Sequence, residues 1–156
     1  MGNPLSALDA TMFWIEHSVG KGGSNRHDDV QMIQFMLNVV HLDLQNSFRM
    51  PSILRWDGIC GEKTLSAILA YQEHKKREGG RWPLYVVDGL VTAHKASFMA
   101  PTTGGYHFGF STLFNLNWDF IEGAPRVDNA LALMGGYYAE PLYSTVILPL
   151  QKAGVL

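Results

Sequence analysis

A single cysteine, Cys60, stands among the 156 residues. One thiol closes no intrachain disulfide and builds no thiolate metal cluster. Between Ile59 and Gly61 it reads as a small apolar turn residue rather than a nucleophile. Charge is also scarce: Asp, Glu, Lys and Arg make up 17% of the chain, below the roughly one quarter usual in globular proteins, while 47% of residues are hydrophobic. A chain of this composition can bury a core. The 12 Lys and Arg are outnumbered by 14 Asp and Glu, giving a net charge of -2. No overall basic field exists to collect phosphates, which argues against nucleic acid as a partner.

Long apolar runs are missing too. The most apolar stretch, residues 129–150, is interrupted by Gly135, Gly136, Glu140, Pro141 and Pro149, so no transmembrane segment is expected. Met1 to Ser6 lack the basic and apolar regions of a secretory signal, and fit only the loose M-G-x-x-x-S myristoylation pattern, which has meaning in a eukaryotic cell alone. Catalytic constellations are equally thin. The six histidines (His17, His27, His41, His74, His94 and His107) form no H-E-x-x-H, no H-x-H and no Cys-His ligand set. A glycosidase would need two carboxylates across a cleft, and Glu16, Glu122 and Glu140 are candidates only by default. We therefore expect no enzyme, no catalytic residue, no metal and no cofactor.

What is present is helical. Ala7 to His17, with Leu8, Met12 and Ile15 at helical spacing, reads as a short lead-in helix, broken by Gly20, Gly22 and Gly23. A helix start follows at Asp28, whose side chain suits an N-cap with Gln31 reaching back; Val30, Ile33, Met36, Leu37 and Val40 then share one face. Residues 41–56 hold no clean period and contain Pro51, which reads as a loop with a short strand at Ile53 to Trp56. Asp57-Gly58 is a turn pair. A second helix begins after Gly61, with two candidate inner faces: Leu65, Ile68, Leu69 and Gln72, or Thr64, Ala67, Ile68 and Tyr71. Its end, Glu73 to Glu78, reads as a solvated charged terminus stopped by Gly79-Gly80. Trp56-Asp57-Gly58-Ile59-Cys60-Gly61 is then echoed by Val87-Asp88-Gly89-Leu90-Val91-Thr92, two similar turns bracketing the second helix.

Charge density falls sharply near residue 96. Residues 1–95 carry ten basic and ten acidic side chains; beyond them stand only Arg126 and Lys152 against Asp119, Glu122, Asp128 and Glu140. We divide the chain there into a lead-in at 1–17, a module at 18–96 and a C-terminal extension at 97–156. The extension is rich in Gly, Leu and aromatics, with helices expected at Arg126 to Met134 and Leu142 to Ala153. It reads either as a surface for a protein partner or as a cover packed back onto the module.

The motifs in this order resemble the peptidoglycan-binding-domain-like family. The family pattern D-V-x-x-[VI]-Q-x-x-L is matched by Asp29 to Leu37, including Gln34. D-G-x-x-G-x-x-T-x-x-A-[IL]-x-x-[FY]-Q is matched by Asp57 to Gln72, and D-G-x-[VI] by Asp88 to Val91. The resemblance implies a mainly α fold, a compact three-helix bundle with Asp-Gly turns, in which Asp29, Gln34, Asp57, Gly58, Gly61, Thr64, Asp88 and Gly89 are structural. It implies a non-catalytic bacterial protein that binds peptidoglycan glycan or stem peptide and accompanies a wall-degrading enzyme or a secretion system. Arg55, Trp56, Tyr71, Gln72, Arg81, Trp82 and Tyr85 are the groups near the turns able to meet such a ligand; Tyr71 and Gln72 equally suit packing and a helix-end hydrogen bond. The alternative is a protein-interaction adaptor, chaperone or immunity subunit of a secretion or phage-like system that keeps the fold without binding wall. A small wall hydrolase is the remote third. Location is expected to be cytoplasmic, or periplasmic and wall-associated by a signal-independent route.

Overall fold

The structure, a computed structural model, describes residues 15–80, 82–93, 97–102 and 105–123. Among the described residues three helices dominate: α1 at His27–Leu42, α2 at Glu62–Glu78 and α3 at Thr112–Gly123. Two short antiparallel pairs accompany them. β1 (Val19–Gly20) pairs with β2 (Leu90–Val91), and β3 (Ser97–Thr102) pairs with β4 (Gly105–Phe110) as a hairpin in the register Ser97 opposite Phe110 to Thr102 opposite Gly105. The described fold is mainly α, as expected. The expected helices at 126–134 and 142–153, and most of the one at 7–17, lie outside the described residues.

α1 is the central element. Every residue from Val30 to Val40 is buried, polar ones included, so the helix is covered on all sides rather than along one stripe. Its start differs from the expected one: the helix begins at His27 with Arg26 as N-cap, and no side chain caps it. Asp29 accepts instead from the backbone N–H groups of Glu16 and His17, at 3.0 and 3.1 Å, which ties the incoming chain to the helix. Gln31 donates to the Trp56 carbonyl at 2.9 Å instead of reaching back. Of the two candidate faces of α2, the one with Thr64, Ala67, Ile68 and Tyr71 is buried; Leu69 is exposed.

The short strand expected at Ile53 to Trp56 does not form. Asn38, fully buried on α1, binds both sides of Leu54: its amide oxygen accepts from Leu54 N–H at 2.8 Å and its nitrogen donates to the Leu54 carbonyl at 2.9 Å. A side-chain amide thus does for one residue what a neighbouring strand would do, and the segment runs extended without pairing to another.

α3 packs back onto the module, one of the two readings of the extension. It lies inside the region set apart as the extension, yet Leu113, Leu116 and Phe120 are fully buried in the same core as Ile33, Phe35, Ile68 and Tyr71. Phe120 meets Phe35 edge-on at 5.6 Å between ring centres. Tyr71 donates to the Asp119 carboxylate at 2.6 Å, and Lys75 pairs with the same group at 3.2 Å. The expected solvated end of α2 is accordingly only partly solvated. Among the described residues α3 closes a bundle of three helices, and the shared core reaches past the fall in charge density near residue 96.

Two predictions follow from this packing. Leu116→Ala should cost about 2–5 kcal/mol in urea unfolding, and a chain ending at residue 96 should show no cooperative transition; a sharp transition in that truncated chain would refute the shared core. Acid should also loosen the loop after α1. His41 Nδ1 accepts from Met50 N–H at 2.9 Å, and burial, then the Arg49 charge, hold its pKa below the ordinary 6.5. A depressed folded pKa gives stability that is present above the unfolded value and lost as pH falls through the folded one. The urea midpoint should therefore fall between pH 7.5 and 5.5, and His41→Phe should flatten that slope.

Candidate functional site

The two Asp-Gly turns are built alike. Gln34, on α1 and almost fully buried, accepts from Gly58 N–H at 3.1 Å through its amide oxygen. Its nitrogen faces Asp57 Oδ1, the Ile59 carbonyl and Thr64 Oγ1 at 3.1–3.2 Å. Gln72, on α2 and fully buried, repeats this at the second turn. Its oxygen accepts from Asp88 N–H at 3.1 Å and Gly89 N–H at 2.8 Å, while its nitrogen faces Asp88 Oδ1, the Leu90 carbonyl and Thr112 Oγ1 at 2.9–3.2 Å. In each turn the aspartate also accepts from the N–H two residues on, Ile59 at 3.0 Å and Leu90 at 2.9 Å. The first of these bonds holds the Asp57 carboxyl below its ordinary pKa. Gly58 and Gly89 both take left-handed backbone, φ 71° and 75°, which a side chain would strain.

Of the structural set, Gln34, Asp57, Gly58, Thr64, Asp88 and Gly89 are joined in one device, used twice: helix glutamine, Asp-Gly turn, then the hydroxyl of a threonine at the next helix start. Thr64 fills the last place in the first copy. In the second copy Thr112 fills it, after a detour through the β3–β4 hairpin. No threonine stands at the matching distance after Gly89, so the sequence pattern stopped one residue short of the partner that the fold supplies.

Of the seven ligand candidates, the six within the described residues do not gather into one site. Tyr71 and Gln72 are fully buried and committed to Asp119 and to the second turn, so they are removed from the ligand set. Burial, then the negative charge of Asp119, raise the Tyr71 pKa well above the ordinary phenol value. Arg55 is exposed beside the first turn. Trp56 is half-buried, its ring edge-on to Phe35 at 5.3 Å, which gives it a packing role as well as an exposed edge. Trp82 lies across the molecule's second cluster, with Phe110, Phe114 and Trp118 at 5.0–5.1 Å. Tyr85 rests on Gly109, where a Cβ would stand 2.8 Å from its ring. Arg81 lies outside the described residues.

Among the described residues, depressions open at the start of α1 and beside the second Asp-Gly turn. One, about 470 Å³, sits at the start of α1 and holds Arg26, His17 and His27 together with Glu16, Asp28 and Asp29. Its acids and bases are largely paired with each other, His17 with Asp29 at 3.5 Å and His27 with Asp28 at 3.3 Å. The other, about 230 Å³, lies between the second Asp-Gly turn and the start of α3. Residues Thr92, Ser111 and Thr112, which border it, were not singled out in the sequence, because the hairpin separates two of them from the turn they face. Among the described residues no group of three His, Cys, Asp or Glu is placed to hold a metal ion, and no helix is long and apolar enough to cross a membrane.

The clamps predict a specific cost. Gln72→Leu keeps the shape but leaves the Asp88 and Gly89 N–H groups without their acceptor, and should lower stability by about 2–5 kcal/mol in urea unfolding; Gln34→Leu should cost a similar amount. A loss below about 1 kcal/mol in either would show that the turns hold themselves. No family model, curated protein or solved structure matches this chain.

Proposed function

We propose that the chain is a non-catalytic bacterial peptidoglycan-binding module that accompanies a wall-degrading enzyme or a secretion apparatus. The observation that carries this reading is the double glutamine clamp. The residues behind the resemblance, Gln34, Asp57, Gly58 and Thr64, then Gln72, Asp88 and Gly89, work together as one architecture at both turns.

A binding role also suits the fate of the acids. Asp29, Asp57, Asp88 and Asp119 each accept bonds that hold a turn, a segment or a helix pair, so they serve the scaffold first. Arg55 and the exposed edge of Trp56 supply a cation and an aromatic beside the first turn, a combination suited to a carboxylate and a sugar face.

One observation favours the adaptor reading. Trp82, Phe110 and Trp118 are only half-buried around Phe114, a concentration of aromatic surface of the kind that anchors protein interfaces. Pelleting with purified peptidoglycan sacculi separates the two. Wall binding predicts co-sedimentation above a control protein, weakened roughly tenfold by Arg55→Ala, the loss expected for one charge-assisted hydrogen bond. No co-sedimentation, together with recovery of a stoichiometric protein partner from the host, would favour the adaptor. Trp56→Ala is the poorer probe, because it also strips an edge contact from the core.

A further inference from the structure

The second half of the repeat departs from the first in its exit. From Ile59 the chain passes through Cys60 and Gly61 straight into α2, whereas from Leu90 it passes through β2, makes the hairpin and returns at Ser111 to start α3. The 230 Å³ cleft lies where the two ends of this detour face the Asp88-Gly89 turn. Besides Gln72, residues of three kinds border it: the exposed acid Asp88, the hydroxyl-bearing Thr92, Ser111 and Thr112, and the aliphatic Val86 and Leu90.

Part of this polar equipment is already in use. Asp88 Oδ1 serves Leu90 N–H and Gln72, Ser111 Oγ accepts from Phe114 N–H at 3.1 Å, and Thr112 Oγ1 accepts from Gln72. The second oxygen of Asp88 and the Thr92 hydroxyl make no hydrogen bond among the described residues, and Ser111 keeps its own proton to donate. Electrostatics narrows the ligand. The carboxylate repels an anion, and the positive end of the α3 dipole disfavours a cation. A neutral group with a donor, an acceptor and an apolar end satisfies all three kinds of lining. The volume falls below the roughly 300–1,000 Å³ of sites that enclose a whole ligand, so a single substituent fits better than a strand.

We propose that this cleft takes the acetamido group of an N-acetylated hexosamine. Asp88 accepts from the amide N–H, Thr92 and Ser111 donate to the carbonyl, and the methyl group lies against Val86 and Leu90. The proposal rests on the wall-binding reading, which supplies such sugars, and adds a subsite formed at this chain's own hairpin detour, distinct from Arg55 and Trp56.

The test titrates the full chain with the N-acetylglucosamine trimer and with its fully deacetylated counterpart, followed by amide NMR shifts, alongside sacculi pelleting. The acetylated trimer should shift Gly89, Thr92 and Thr112, and the deacetylated one should leave them unmoved. Thr92→Val, isosteric and with no hydrogen bond to lose among the described residues, should weaken binding about tenfold, the worth of one hydrogen bond near 1.4 kcal/mol. Val86→Trp, which fills the cleft, should abolish it, with circular dichroism confirming that both variants fold. Equal shifts with both trimers, shifts confined elsewhere, or full affinity in both folded variants would overturn the cleft assignment. No trimer binding with sacculi still pelleting would overturn the cleft alone, and failure of both would overturn the wall reading with it.

Discussion

A buried primary amide has one oxygen and two N–H groups to satisfy, and an Asp-Gly turn offers the complementary set. In this chain that match is made twice, and the rest of the fold depends on it. Gln34 fixes the first turn to α1 and, through Thr64, fixes where α2 begins; Gln72 fixes the second turn to α2 and, through Thr112, fixes where α3 begins. Each helix thus positions the start of the next. An unmet buried polar group costs about 1–3 kcal/mol, and each amide gathers several, so the clamps help to specify the chain path alongside the apolar core.

The clamps also explain how a helix can be buried on every side. α1 carries Gln31, Gln34 and Asn38 into the interior, and each finds backbone partners in the loop between α1 and α2. That loop needs no strand of its own, because the amides supply its pairing. α3 then covers the remaining flank through Leu116 and Phe120, with Asp119 placed between the Tyr71 hydroxyl and the Lys75 ammonium. A charge held at so little exposure is tolerable because two donors meet it.

Much of this frame was legible in the sequence. The spacing of Val30, Ile33 and Leu37 placed α1, that of α2 left two candidate faces between which burial decides, and the two Asp-Gly pairs marked the turns. What escaped was non-local. Gln31 and Asn38 look like ordinary helix residues, and only the path of residues 54–59 turns them into bridges. The hairpin has Pro101 in one strand and Gly109 in the other, which hides strand alternation, and it carries Thr112 far from the turn it completes. The low charge density beyond residue 96 coincides, along α3, with burial in the shared core. Among the site candidates, Tyr71 and Gln72 went to the interior for the same reason that the pattern marked them: they build the scaffold. Arg55, the edge of Trp56 and the cleft beside Asp88 are what the scaffold leaves available.

The central claim is that both clamps and all three helices form one cooperative unit. Native-state hydrogen exchange at the amides of Gly58 and Gly89 tests it most directly, since each donates to its clamp glutamine. The account predicts that both exchange only through global unfolding, with equal free energies that match the urea value. Exchange at Gly89 through a separate, lower-energy opening, with Gly58 still protected, would contradict it and make α3 and the second turn an independent part.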